Sequence, residues 1–172
     1  INIMLLQRFF HETYQVKKLK VDLLRPIRLL FEAIKEGVVS RLALALLVSR
    51  LAWSLFFSFS GAYAVITYHF SPLLIMVYMA LIGVGFALGS GLTGPFEKHC
   101  LPLYTLVLTS LLSALGYALF VLIHSVWVVW LLVIPVTALM TVFYNIILAL
   151  FSHAVDDTRQ GWVMGVTMSL TA

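Results

Sequence analysis

Charge is what this sequence has least of. Of 172 residues only 11 are Lys or Arg and 7 are Asp or Glu, and long stretches carry none of them. A soluble domain of this length shows water a polar face on most of its elements, so segments without such a face exclude that class. Cysteine is almost missing too. Cys100 stands alone, which excludes an internal disulfide and, by itself, a cysteine zinc site. The five histidines (His11, His69, His99, His124, His153) sit at the edges of apolar stretches, with no HExxH and no second ligand four residues on. No metal centre is expected from them. No phosphate-binding glycine loop is present, so an ATP-driven motor within this chain is excluded, any driving energy has to come from an ion gradient, and no cofactor is expected.

What fills the space is hydrocarbon. The chain is 62% hydrophobic with a mean hydropathy of +1.06, the composition of an integral membrane protein. Residues 42–68 form a run of 27 with one interior charge, and residues 73–92, 101–123 and 126–150 are runs of 20, 23 and 25 with none. Each reaches the roughly 20 residues a helix needs to cross about 30 Å of hydrocarbon. Ser71 with Pro72, Pro102 and Ser125 are suited to helix starts, and the connections are only a few residues long. The expected fold class is all-α, a polytopic transmembrane helical bundle of four full spans joined as hairpins. A further apolar run starts at 162, and the sequence opens at Ile1 on an apolar run too short to span. The expectation is that both ends cut through helices of a longer protein. Gln7 and Arg8 interrupt the first run, which argues against a signal peptide.

Eight of the 11 basic residues lie in residues 1–41, against four acidic ones, and the rest of the chain balances at three against three. Lys98 and Arg159 fall on the same side, while the opposite turns, around His69 and His124, have neither Lys nor Arg. The positive-inside rule therefore makes residues 1–41 and the 93–100 and 151–161 loops cytoplasmic, in a cell (inner) membrane. The basic segment is expected on anionic headgroups, with the lipid bilayer and not nucleic acid as its partner. Within it, Ile27, Leu30, Phe31 and Ile34 share a face opposite Arg28, Glu32, Lys35 and Glu36. That spacing predicts an amphipathic surface helix over 26–37, begun by Pro26 and ended by Gly37. Trp127 and Trp130, with Tyr68 opposite, sit where an outer aromatic belt belongs.

Polar residues inside the spans are the candidates for function. Arg50 lies about 13 Å along a helix from Arg41, and Ser54 and Ser58 follow at four-residue steps. An intramembrane arginine faces a cavity or a partner, or else it snorkels to the headgroups. Thr137, Thr141 and Asn145 form a second stripe near Pro135, a kink residue, and Thr105, Thr109 and Ser113 form a third. A water-filled path uses such stripes, and so does ordinary helix packing. Gly83, Ala87 and Gly91 mark one small-residue face of the second span and Gly85 and Gly89 another; close helix approach explains both. Catalysis finds little support. Ser90 lies between glycines, but Leu88 occupies the place where an intramembrane serine protease pattern needs another.

The run VDDTRQGWVMG at 155–165 resembles the cytoplasmic loop between the tenth and eleventh helices of major facilitator superfamily transporters, in particular the tetracycline-efflux type of drug/proton antiporters. There an acidic residue, an arginine and two glycines lead into the eleventh helix; here they are Asp156 or Asp157, Arg159, Gly161 and Gly165. FHET at 10–13 is similar to the family's sequence at the end of helix six, with His11 in place of proline. GLTGPFEKH at 91–99 resembles a degenerate copy of the family's charged loop: Gly91 is kept, Pro95 replaces the acidic residue and Phe96 the arginine, and Glu97 and Lys98 are the charges left.

The resemblance spans the chain: residues 1–13 as the end of a cut helix, 14–41 as the central loop, and 42–172 as part of the C-terminal bundle. It implies a bundle that rocks against the N-terminal half of the same transporter about a central site. It also implies that Arg50, Ser54, Ser58, Thr137, Thr141 and Asn145 line the substrate path, in preference to the Thr105 stripe. No carboxylate lies within the four spans, so a proton carrier belongs to the other half. The leading expectation is a secondary transporter that exports small amphiphilic or drug-like compounds against protons or another coupling ion. Trp53, Phe56, Phe57 and Tyr63 suit such a small-molecule substrate. The alternatives are an uptake symporter for a small metabolite, with Arg50 pairing an anionic substrate, and a non-transporting membrane scaffold subunit.

Overall fold

The computed structural model describes residues 37–156 and 159–171. The described residues form five helices and no strand: α1 (Gly37–Tyr68), α2 (Pro72–His99), α3 (Pro102–Leu122), α4 (Val126–His153) and α5 (Gln160–Thr171). The first four are long and apolar enough to cross a membrane. The all-α membrane bundle expected from composition is the architecture found. The expected amphipathic helix over 26–37 lies outside the described residues except for Gly37, which is helical and is the first described residue of α1.

The helix ends follow local chemistry. Ser71 caps α2 by accepting a bond from the Leu74 amide at 3.4 Å, and Pro72 occupies the first turn, where no amide partner is needed. Pro102 opens α3 in the same way, whereas Ser125 precedes α4 without a side-chain cap bond. Between α1 and α2 the chain turns on His69, whose φ of 55° is left-handed. Its amide donates to the Val65 carbonyl at 3.1 Å, closing the helix as a glycine in this position ordinarily would. That turn drives Phe70 inward onto Trp130, with ring planes 12° apart and centroids at 5.2 Å. Trp130 is thus a packing residue, while Trp127 stays exposed where a belt residue belongs.

One expected loop is absent. Residues 93–99 continue α2 through Pro95 as far as His99, and the Cys100 amide still donates to the Phe96 carbonyl at 2.9 Å. Pro95 removes one amide donor, but the residue four back is Gly91, exposed, with nothing within 4 Å of where its Cβ would stand. The segment 151–161 divides similarly: α4 continues to His153 and α5 begins at Gln160.

α4 is the hub, with buried residues along its length from Val129 to Phe151. Glycine lets α2 lie against it. A side chain on Gly85 would meet the hydroxyl of Thr137 and the Ile134 carbonyl, and one on Gly89 would meet the Ala138 carbonyl and Thr141. Further along, the Asn145 amide donates to the Thr93 hydroxyl at 3.0 Å. The contacts advance together along both helices, so α2 and α4 run parallel. On the other flank Gly116 of α3 faces Val136. These small residues replace the hydrophobic drive that lipid does not supply.

Two apolar cores result. One gathers Leu42, Leu46, Leu106, Ile146, Phe151 and Val163 at the end that carries Arg41, Lys98 and Arg159. The other gathers Ala64, Phe70, Tyr78, Ile82, Phe120 and Val133 at the opposite end. α1 reaches both: its buried residues are Val39, Leu42, Ala43 and Leu46, then Ser60 and Ala64, and midway Trp53 and Phe56 lie partly buried against the second core. Between them α1 stands away from α4.

Candidate substrate cavity

The gap between α1 and α4 is a cavity of about 210 Å³, lined from α1 by Leu46, Ser49, Arg50 and Trp53. Phe86 of α2 and Met140, Thr141, Phe143 and Tyr144 of α4 complete it. The α1 positions run i, i+3, i+4, i+7, which is one face of a helix. The wall is aromatic: the Trp53 and Phe86 rings meet edge to face at 5.3 Å, and Phe56 and Phe57 lie within 6 Å of Trp53.

Arg50 is the cation of this site and is half-buried. One of its terminal nitrogens donates to the Thr171 carbonyl of α5 at 3.3 Å, and its guanidinium carbon stands 5.7 Å from the centre of the Tyr144 ring. A guanidinium has five N–H donors and no acceptor, so one carbonyl leaves most of its capacity unspent. Among the described residues no carboxylate is paired with it. Phe86 and Glu97 are both on α2, eleven residues or about 16 Å apart.

The structure brings Arg50 and Thr141 to one cavity and disperses the rest of the expected path. Ser54 and Ser58 are exposed and line no part of it. A four-residue step advances about 40° beyond a full turn, so a stripe of such steps winds off the face on which it starts. Thr137 is fully buried against Gly85, its hydroxyl turned back to the Val133 carbonyl at 2.7 Å. Asn145 is engaged by Thr93. Two members of the α4 stripe therefore pack helices. The Thr105, Thr109, Ser113 stripe of α3 is buried as well, with the Thr109 hydroxyl bonded to the Thr105 carbonyl at 2.7 Å. Ser49, Phe86, Met140 and Tyr144 join the cavity without having been singled out. The signal for Ser49 was its place on the i−1, i+3 flank of Arg50; nothing in sequence pointed to the other three.

The glycine faces separate in the same way. Gly85 and Gly89 are buried at α4, but Gly83 and Gly91 have nothing within 4 Å of a Cβ, and Ala87 is exposed. At the basic end, Gly91, Pro95, Glu97 and Lys98 are exposed along the last turns of α2. In the 155–165 run, the Arg159 amide donates to the Asp156 carbonyl at 2.8 Å, and its guanidinium covers the Trp162 ring at 4.5 Å. Asp157 lies outside the described residues. Gly161 is exposed and open, and α5 buries Val163, Val166 and Thr167 instead.

A second polar group lies nearer the other end. The hydroxyls of Ser60, Tyr78, Ser113 and Tyr117 are buried without a hydrogen-bond partner among the described residues. Among the described residues no group of His, Cys, Asp and Glu is placed to hold a metal ion.

The family model described as Major Facilitator Superfamily matches residues 1–172. No curated protein and no solved structure matches the chain.

Proposed function

The chain belongs to the major facilitator superfamily, a family of membrane transporters, and on that premise we propose that it forms part of a proton-coupled exporter of small amphiphilic compounds, of the tetracycline and multidrug branch. The observation that carries this reading is the aromatic-walled cavity between α1 and α4, set within the spans and, among the described residues, holding one cation, Arg50. Family membership and the cavity together count against a scaffold without transport. The C-terminal bundle, 42–172, supplies this cavity, and the N-terminal half of the same transporter closes it and carries the proton. The protein lies in the cell inner membrane with its basic end, residues 1–41 and the 93–100 and 151–161 segments, in the cytoplasm. There Asp156, Asp157, Arg159, Gly161 and Gly165 serve as the gate motif, and Gly91, Pro95, Glu97 and Lys98 as its degenerate counterpart.

The test is transport by the full-length protein in proteoliposomes under an imposed proton gradient. A fluorescent amphiphile is expected to move against its own gradient while protons flow the other way, and a protonophore is expected to stop it. Movement of the amphiphile together with protons would replace the exporter by the second reading, an uptake symporter. That reading has one observation in its favour: Arg50 has no carboxylate partner among the described residues. No proton-dependent movement in either direction would overturn both.

A further inference from the structure

The geometry points to an anionic group on the transported compound, held by Arg50, with its apolar body against Trp53, Phe86 and Tyr144. This rests on the reading of the α1–α4 cavity as substrate path and adds the charge of what travels along it.

A cation within the hydrocarbon is costly unless something compensates it. Among the described residues the compensation available to Arg50 is slight: one carbonyl at 3.3 Å and one ring face at 5.7 Å. Neither neutralises charge. Among the described acids, Glu97 lies eleven residues from Phe86 along α2, about 16 Å by helical rise, and Asp156 twelve residues from Tyr144, beyond the end of α4. The unspent N–H donors of the guanidinium form a planar fork that fits a carboxylate, sulfonate or phosphate through two parallel bonds.

The rest of the cavity selects the body. Trp53, Phe86 and Tyr144 offer ring faces and edges, and Met140 is a flexible apolar filler that adapts to more than one shape. At about 210 Å³ the space is below the roughly 300–1,000 Å³ of a site for a whole drug-sized molecule. This part of the path takes an anionic head and a ring, and the rest of a larger substrate falls to the half that closes the cavity. Aromatic walls alone would equally accept an organic cation through its attraction to ring faces. Arg50 reverses that preference by repelling it, so the site takes aromatic anions over neutral analogues, and neutral analogues over cations.

The experiment uses two probes with one body: 1-anilinonaphthalene-8-sulfonate, an aromatic anion, and N-phenyl-1-naphthylamine, the same skeleton without the sulfonate. Binding is measured by fluorescence on the full-length protein in nanodiscs, with empty nanodiscs as blank, and each probe is also offered for proton-driven transport. The sulfonate is expected to bind more tightly than the amine. Arg50→Gln is expected to weaken the sulfonate by about tenfold or more and leave the amine within about threefold, with Arg50→Lys intermediate for the sulfonate. Equal affinity of the two probes for the unsubstituted protein, or equal losses of both in Arg50→Gln, would overturn the inference. If Arg50→Gln does not fold, the ratio of the two affinities in the unsubstituted protein and in Arg50→Lys decides. Charge-selective binding without any transport would leave the anion site standing and remove the exporter reading. Transport without charge selectivity would do the reverse.

Discussion

The side-chain amide of Asn145 donates to the hydroxyl of Thr93 at 3.0 Å, across the parallel pair α2 and α4. Thr93 in turn donates to the carbonyl of Gly89, at 3.0 Å. The chain of bonds begins where the glycine contact ends, so one helix pair is joined by close backbone approach along its middle and by polar side chains nearer the basic end. We expect Asn145→Leu and Thr93→Val each to lower the thermal stability of the full-length protein by about 1 kcal/mol. Their double substitution is expected to cost less than the sum, and strictly additive losses in a double-mutant cycle would show that the two residues act apart.

Gly85→Ala and Gly89→Ala are expected to destabilise the protein by about 1–3 kcal/mol, because the new methyl meets backbone carbonyls that cannot swing aside. Gly83→Ala and Gly91→Ala, on the open face of the same helix, are expected to change its intrinsic stability little or to raise it. A thermal unfolding series on the four variants checks this, and equal losses at all four would contradict the packing assignment.

Ser113 is buried with no partner for its hydroxyl among the described residues. Ser113→Ala is therefore expected to leave stability unchanged or raise it by up to about 1 kcal/mol, since it removes a buried polar group that has already lost its water. A loss of similar size, measured by the same unfolding assay, would show that the hydroxyl is satisfied in the membrane.

His69 closes α1 in the left-handed region. His69→Gly and His69→Asn are expected to be tolerated, while His69→Val is expected to cost about 1–2 kcal/mol because its branched side chain crowds that backbone. Loss of the turn would also release Phe70 from Trp130, so the fluorescence of Trp130 reports on it in a variant with the other tryptophans replaced.

For the cavity, Trp53→Ala is expected to raise the KM for an aromatic substrate by about three- to tenfold, the value of one lost ring contact. Ser58→Ala, on an exposed position outside the cavity, is expected to leave KM unchanged. Proteoliposome uptake at varied substrate concentration separates the two.

Much of the fold was legible because lipid simplifies the code. A helix must satisfy its own backbone inside a membrane, so a run of about 20 uncharged apolar residues has one structural solution. The four spans and the all-α class follow from that rule. Helix ends were less legible. Pro95 and the charges at Glu97 and Lys98 read as a loop, yet the helix continues through them to His99 on its exposed side.

The candidate site was legible only in part. Three stripes of hydroxyl and amide side chains look alike in sequence: Arg50 with Ser54 and Ser58, Thr105 with Thr109 and Ser113, and Thr137 with Thr141 and Asn145. Periodicity says which residues share a face but not what that face meets. In the fold one stripe winds outward after Arg50, one packs α3 into the bundle, and one divides between the α2 contact and the cavity at Thr141.

By itself, then, the sequence determined what depends on composition and one-dimensional spacing: membrane residence, the number of spans, the basic end and the run at 155–165 that resembles the family. Tertiary structure alone decided which of two glycine faces is filled, that the middle of α1 stands off α4 while Trp53 and Phe56 reach rings of α2 and α3 there, and that Arg50 opens onto aromatic rings from two other helices. Those outcomes depend on how far apart neighbouring helices lie and how they are rotated, and in lipid that is set by side-chain fit between helices that are distant in sequence.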